Sequence, residues 1–181
     1  MLDQLLDLVR KNSGDAIVSN PAIPNERNEE AIAGASGSIL NGLQGMLQRG
    51  NISDLLRMFA GQGNGTQAVN AQLSGGFIQD MMSRFGLNQQ QAGNMAGAIV
   101  PNVLNEMVTK TNNPQDSNFN IQDIFNKLSG GQTSGFNMQA LLNKLMGGKL
   151  DLDKDGDTDL QDLMSLLKGG NPMGKVKGLF S

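Results

Sequence analysis

Residues 119–131 read FNIQDIFNKLSGG, and residues 136–148 repeat the pattern as FNMQALLNKLMGG. In both copies an asparagine precedes an apolar-rich stretch with helical spacing, and a pair of glycines follows it. Asparagine is favoured at the start of a helix because its side-chain oxygen accepts a backbone N–H, and glycine is favoured just after the last turn. Each copy therefore predicts one short amphipathic helix.

Two further copies lie elsewhere in the chain. Residues 159–170, DLQDLMSLLKGG, repeat the pattern, and residues 51–61, NISDLLRMFAG, form a looser copy. A helix this short is only marginally stable alone, so all four units must pack on other parts of the chain. Internal repetition and the independent use of good helix caps are alternative explanations of the likeness, and both predict helices.

Apolar residues also recur at helical spacing through the first half of the chain. The leucine-rich N-terminus predicts a first helix of about ten residues, and the segment from Ser13 to Asn25 is predicted to be a loop. A second helix is predicted to begin near Asn25 or Asn28. The glycine-rich residues 62–66, QGNGT, predict another loop.

Two later helices have recognisable ends and two possible interruptions. Gly86 is placed to end one helix, and Asn88 with Gln91 forms a capping-box pattern that begins the next. The glycine pair at 75–76 is an alternative break within the first of these helices. Pro101 predicts a kink or a break near Val100 in the second, because proline lacks the backbone N–H that a helix interior uses.

Small residues are aligned along the helix predicted after Asn28. Gly34, Ser38, Gly42 and Gly45 fall nearly in line beside its apolar stripe. Two interpretations remain open. The small residues let another helix approach closely, or they leave a frayed and flexible helix, since each glycine weakens a helix by up to about 1 kcal/mol relative to alanine.

The most explicit chemistry lies in residues 151–162, DLDKDGDTDLQD. Counted from Asp151, acidic side chains or carbonyls fall at positions 1, 3, 5, 7, 9 and 12 of a calcium loop, and a glycine falls at position 6, where the backbone turns sharply. Calcium takes six to eight oxygen ligands, which alternate residues of a tight loop can supply together. The predicted metal ligands are Asp151, Asp153, Asp155, Asp157, Asp159 and Asp162.

This loop resembles the calcium loops of EF-hands, and most closely those of the dockerin type, in which position 12 is also Asp and a helix follows directly. Thr158 occupies position 8, where paired EF-hands usually carry an aliphatic residue, so a single unpaired site is expected. The alternative interpretation is a solvated acidic turn, which is the usual state of a run of like charges.

The composition bears on the class of protein. The 181 residues include no Cys, His, Trp or Tyr, so disulfides, thiol nucleophiles, Ser-His pairs and the usual ligands of catalytic zinc are missing. No arrangement of carboxylates or lysines suggests a carboxylate-only or lysine-based mechanism. We therefore expect that the protein is not an enzyme.

Charge and hydropathy also limit the partners. Outside residues 151–162 the chain carries 13 basic and 11 acidic residues, without a basic stripe, which disfavours binding to nucleic acid. No apolar run approaches the length of a membrane span, so no membrane association is expected. The N-terminus carries acids where a signal peptide carries bases. Cytoplasmic residence is the expected location, with non-classical export as the alternative.

Four motifs stand out in the first 110 residues: LLDLV (5–9), SGSILNGLQGML (36–47), FGLNQQQAGNMA (85–96) and IVPNVLNEMV (99–108). With these motifs, residues 1 to about 110 resemble the YidB-like family of bacterial proteins, which carry a domain of unknown function. The resemblance implies an all-α fold and brings no catalytic residues.

The expected organisation is an all-α protein of short helices punctuated by glycine, followed by a C-terminal loop-helix calcium module. It comprises a YidB-like helical domain (1–112), a linker (113–118), short-helix repeats with the calcium loop (119–170) and a flexible tail (171–181). Two functions are expected as alternatives. One is calcium binding that orders the loop at 151–162 and docks the helix predicted at 160–168 against the body of the protein. The other is a self-associating scaffold, as a homo-oligomer or with a protein partner, in which the acidic loop is incidental.

Overall fold

The computed structural model describes residues 2–113, 115–116, 119–135 and 137–146. Within these ranges all regular structure is helical, which confirms the all-α prediction. The α-helices are α1 (Leu2–Lys11), α2 (Asn28–Gln48), α3 (Ile52–Phe59), α4 (Gly63–Phe85), α5 (Gln89–Thr111), α6 (Ile121–Leu128) and α7 (Met138–Met146). A π-helical turn (Gly14–Val18) and a 3-10 turn (Asn25–Arg27) connect α1 to α2.

The segment between α1 and α2 differs from the predicted loop. Its π-helical turn places Ile17 in the core with no exposed surface, and Ile23 is 2% exposed. The connection is therefore packed against the helices and is not an open loop. The predicted helix start at Asn28 is confirmed, and Asn25 begins the short 3-10 turn instead.

Helix α2 lies at the centre of the fold. It packs against α1, α3, α4 and α6, and its buried positions occur on most of its circumference: Ala31, Ile32, Gly34, Ala35, Ser36, Ser38, Ile39, Leu43 and Met46. A helix that is buried on most sides needs small residues wherever a neighbouring helix comes close.

The aligned small residues of α2 face α4. A methyl group added at Gly42 would overlap the side chain of Leu73, and one added at Gly34 would lie 3.4 Å from Met81 and 3.5 Å from Phe85. Both glycines therefore permit close packing of α2 on α4. Of the two interpretations of this stripe, the structure supports close helix packing.

The start of α4 also depends on a close approach. Residues 62–66 are predicted to be a loop, but α4 begins at Gly63. A methyl group at Gly65 would lie 2.5 Å from Cβ of Arg57 and 2.6 Å from the backbone nitrogen of Met58. Glycine lets the first turn of α4 pack directly on the backbone of α3, and this tertiary contact overrides the local preference for a loop.

The two predicted interruptions do not break their helices. Helix α4 continues through the glycine pair at 75–76, and α5 continues through Pro101. Buried residues flank both places, with Leu73 and Phe77 in α4 and Val100 and Val103 in α5. Packing of these side chains holds each helix in register across its weak point.

The predicted helix ends are correct where α4 gives way to α5. Gly86 adopts a left-handed conformation with φ of 68°, which glycine tolerates without strain, and its N–H donates to the carbonyl of Met82. The side chain of Asn88 accepts from the backbone N–H of Gln91 at 2.9 Å. The side chain of Gln91 in turn accepts from the Asn88 backbone N–H at 3.0 Å. This confirms the capping box.

Helices α6 and α7 belong to the same hydrophobic core as α1–α5. The rings of Phe59 in α3 and Phe125 in α6 meet edge to face with centroids 6.0 Å apart. In the described part of the predicted linker, Asp116 pairs with Lys110 at 3.0 Å. The proposed division into domains stays a prediction, and the described elements on both sides of residues 113–118 share one core.

Two glycines of α4 offer a matched test of this packing. We expect Gly65→Ala to lower the free energy of unfolding by about 1–3 kcal/mol, because its methyl group has no room against the α3 backbone. Gly75→Ala should raise it by about 0.4–1 kcal/mol, since a methyl group there meets nothing within 4 Å and alanine favours the helix. Urea unfolding of both variants measures these changes. Equal effects of the two substitutions would contradict the described α3–α4 contact.

Candidate functional site

The six predicted calcium ligands, Asp151, Asp153, Asp155, Asp157, Asp159 and Asp162, lie outside the described residues. So do the helix predicted at 160–168 and the tail from 171. Within the part of the chain that the structure describes, no group of three or more acidic side chains is placed to hold a metal ion. The calcium site therefore stays a prediction from sequence.

The described helix that precedes that loop in the sequence is α7, which a polar network holds against α6. The side-chain oxygen of Gln122 accepts from the backbone N–H of Met138 at 2.9 Å, and its amide nitrogen donates to the carbonyl of Thr133 at 3.1 Å. The Thr133 hydroxyl donates to Asn126 at 2.9 Å. One glutamine thus joins α6, the connector at 129–137 and the first turn of α7.

Helix α7 carries the same pair of amides, but it leaves them open to solvent. Gln139 occupies the repeat position of Gln122, and Asn143 occupies that of Asn126. Their side chains contact each other at 3.5 Å, just as the α6 pair does at 3.3 Å. In α6 both residues are half-buried beneath the connector, whereas in α7 both are exposed.

A polar groove of about 610 Å³ runs between α2 and α4. The hydroxyl of Ser38, which is 6% exposed, donates to the carboxylate of Asp80 across the two helices. Arg49 and Gln72 also line this groove. The Ser38–Asp80 hydrogen bond satisfies a nearly buried hydroxyl where α2 and α4 pack closely, and so it has a structural role.

A second groove, of about 710 Å³, lies between α4 and α5. It is lined by residues without charged side chains: Gly61, Gly63, Thr66, Gln67, Asn70, Pro101, Asn105, Val108 and Thr109. Its hydroxyls and amides can form hydrogen bonds. With no charged lining group, the groove offers no general base and no strong attraction for an ion.

The C-terminal end of α1 is held to α5 by a charged cluster. Glu106 accepts from Lys11 at 3.1 Å and from the Asn12 side chain at 3.2 Å. Partial burial raises the pKa of the Glu106 carboxyl, but the hydrogen bonds from Lys11 and Asn12 outweigh it, and the net pKa lies below its ordinary value. The carboxylate form therefore stabilises the attachment of α1.

A second set of charges links the first helices. Arg10 pairs with Glu29 at 2.7 Å, and this hydrogen bond raises the pKa of the Arg10 guanidinium. Arg27 pairs with Glu30 at 2.9 Å and lies 4.6 Å from the ring centroid of Phe85. The hydrogen bond from Arg27 lowers the pKa of the Glu30 carboxyl. These contacts are on the surface and serve to position helices.

None of the described helices has the length and apolar character that a membrane span requires.

Sequence reasoning missed the linking role of Gln122 and the hydrogen bond between Ser38 and Asp80. The first had a signal, because the same glutamine recurs in the copies at 122, 139 and 161. The second had none, since 42 residues separate the partners.

Comparison of the chain with protein-family models, curated proteins and solved structures found no match. The resemblance of residues 1 to about 110 to the YidB-like family therefore stays a prediction from the motifs that carry it.

The Glu106 cluster predicts a defined dependence of stability on pH. Because the folded-state pKa of Glu106 is lowered, its contribution is present above the unfolded pKa of about 4.3 and is lost as the pH falls through the folded value. We expect Glu106→Gln to cost about 0.5–1 kcal/mol at pH 7 and clearly less at about pH 3. Glu26→Gln, at an exposed glutamate, is the control. A Glu106→Gln penalty of the same size at both pH values would exclude this role.

Proposed function

We propose that the chain is a non-enzymatic calcium-binding helical protein, in which the ion orders residues 151–162 and stabilises the helix predicted at 160–168. The observation that carries the proposal is the twelve-residue register DLDKDGDTDLQD. Acidic residues at alternate positions, glycine at position 6 and an acid at position 12 match the pattern that surrounds calcium with oxygen ligands.

The position of the loop in the chain supports this function. Helix α7 ends at Met146, five residues before Asp151. An extended chain covers at most about 3.6 Å per residue, so Asp151 lies within about 18 Å of the end of α7. Leu141 and Leu142 of α7 are buried in the core. The proposed site is therefore tethered closely to a folded element.

Electrostatics gives calcium a large effect on this segment. Residues 151–162 hold six of the 17 acidic residues of the chain and one lysine. Without a cation these carboxylates repel each other at short range, which opposes a compact loop. A bound divalent ion replaces that repulsion by attraction, so calcium favours the ordered conformation.

A self-associating scaffold is the second candidate. Its support is a set of helical glycines that the described packing does not require: a methyl group at Gly75, Gly76, Gly93 or Gly97 would meet nothing within 4 Å. Each costs about 0.5–1 kcal/mol relative to alanine in a helix. Met82, on the same helix as the first two, is 36% exposed. A neighbouring helix from another chain would give these small residues a use.

Two aspartates at the same repeat position give a matched test of calcium binding. Asp162 closes the proposed loop, and Asp123 occupies the equivalent place in the first turn of α6. We expect calorimetric titration with calcium, with magnesium as competitor, to show one site per chain. Asp162→Ala should weaken binding strongly and Asp155→Ala should abolish it, because each removes a ligand. Asp123→Ala should leave the heat and the affinity unchanged.

If Asp162→Ala and Asp123→Ala change calcium binding equally, Asp162 acts as a helix-capping charge, like Asp123, and not as a calcium ligand. An absence of heat on calcium addition, with no change in helix content, would identify residues 151–162 as an acidic turn and favour the scaffold.

Where calcium binds, its affinity indicates whether the protein works outside or inside the cell. Millimolar values are typical of extracellular modules, and submicromolar values of intracellular buffers and sensors.

The scaffold proposal has its own measurement. Light scattering after size exclusion should give a mass above 19.2 kDa, and Gly97→Leu should reduce that mass by blocking close approach at α5. Circular dichroism then checks that the variant keeps its helix content. A strict monomer at high concentration, in calcium and in chelator, would rule out self-association.

A further inference from the structure

The strongest unassigned surface is the exposed amide face of α7, defined by Gln139, Ala140 and Asn143, all of which are solvent-exposed. The opposite face of α7 buries Met138, Leu141 and Leu142. Gln139 and Asn143 occupy the repeat positions that Gln122 and Asn126 occupy in α6, where these side chains contact the connector and the start of α7. Among the described residues, nothing covers this face of α7.

The preceding copies show what normally covers this position. In α6, the connector at 129–137 and the start of α7 lie over Gln122 and Asn126. In α3, the position equivalent to Asn126 is Arg57, and the first turn of α4 packs against it at Gly65. In both copies, the chain that follows a short helix returns to cover this position. Only the α7 copy leaves it open among the described helices.

We infer that residues 159–168 of the same chain dock on the Gln139–Asn143 face of α7. The carboxamide oxygen of Gln139 accepts the backbone N–H of Leu160, as that of Gln122 accepts the N–H of Met138. The occupant is identified by sequence: DLQDLMSLLK continues the series of NIQDIFNKLS and NMQALLNKLM. Its first position holds an N-capping residue, like Asn120 and Asn137 in the copies before it.

The chain between the two elements is long enough for this arrangement. Nine residues, 129–137, separate α6 from α7, and Thr133 and Met138 lie against Gln122 of α6. Thirteen residues, 147–159, separate α7 from the helix predicted at 160–168. The return along α7 to the level of Gln139 is roughly 10 Å at 1.5 Å per residue. The additional residues accommodate the acidic loop, so calcium would order the connector while α7 receives the helix.

This inference rests on the proposed function in one respect, the ordering of the connector by calcium. Its test distinguishes a failure of the docking from a failure of calcium binding. Hydrogen exchange of the full chain, saturated with calcium or in chelator, is measured for the backbone amides of 160–168. We expect calcium to protect these amides. Gln139→Ala should reduce the protection about threefold to tenfold, the effect of one hydrogen bond. Gln79→Ala, at an exposed glutamine of α4, is the control and should change nothing.

Because Gln139 is exposed, its substitution leaves the buried face of α7 intact, and calorimetry on the same variants reports calcium binding separately. Protection that Gln139→Ala leaves unchanged, or no protection in either condition, overturns the docking while one bound calcium per chain preserves the proposed function. Protection that is sensitive to Gln139 without any calcium binding supports the docking and overturns the calcium site. Protection that rises with protein concentration assigns the face to a second copy and overturns docking within the chain.

Discussion

The close approach of α2 to α4 is the constraint on which the rest of the structure depends. At Gly42 a methyl group would overlap the side chain of Leu73, and at Gly34 it would touch Met81 and Phe85. Leu73 and Met81 are both buried. Helices α1, α3 and α6 pack on other parts of α2, and Ala33 and Asn41 lie on its exposed face. The glycines weaken α2 as an isolated helix. The surrounding helices compensate, because a helix buried on most sides gains its stability from packing.

The short helices depend on a different kind of contact. Helices α6 and α7 have eight and nine residues, too few to be stable alone. Their apolar faces join the common core, but burial alone does not determine how one short helix follows another. Gln122 contributes to it, because its carboxamide donates to the connector and accepts from the start of α7 at the same time. Apolar packing attaches these helices to the core, and the Gln122 carboxamide helps to place the connector and the start of α7 on α6.

Local signals predicted the ends of helices better than their interiors. The capping box at Asn88, the cap at Gly86 and the N-cap at Asn120 are all present, since each depends on residues within a few positions. Gly65 misled the prediction, because its contact with the distant α3 backbone decides its conformation. Helix α5 continues through Pro101, so the break predicted as one alternative does not occur. The calcium ligands follow from spacing within a dozen residues. The surface that would receive the loop depends on tertiary structure, which spacing does not encode.

The proposed calcium loop is unpaired, which makes the adjoining surface important for its affinity. EF-hand loops usually support each other in pairs, and Thr158 at position 8 does not favour such a partner. The entropy that a lone loop loses on becoming ordered must then be offset by binding of the ion and by the contacts of the following helix. If that helix docks on α7, docking and calcium binding are linked, and each strengthens the other by the same factor. Gln139 would in that case raise the calcium affinity without touching the ion, and the amide face of α7 would be part of the site in the thermodynamic sense.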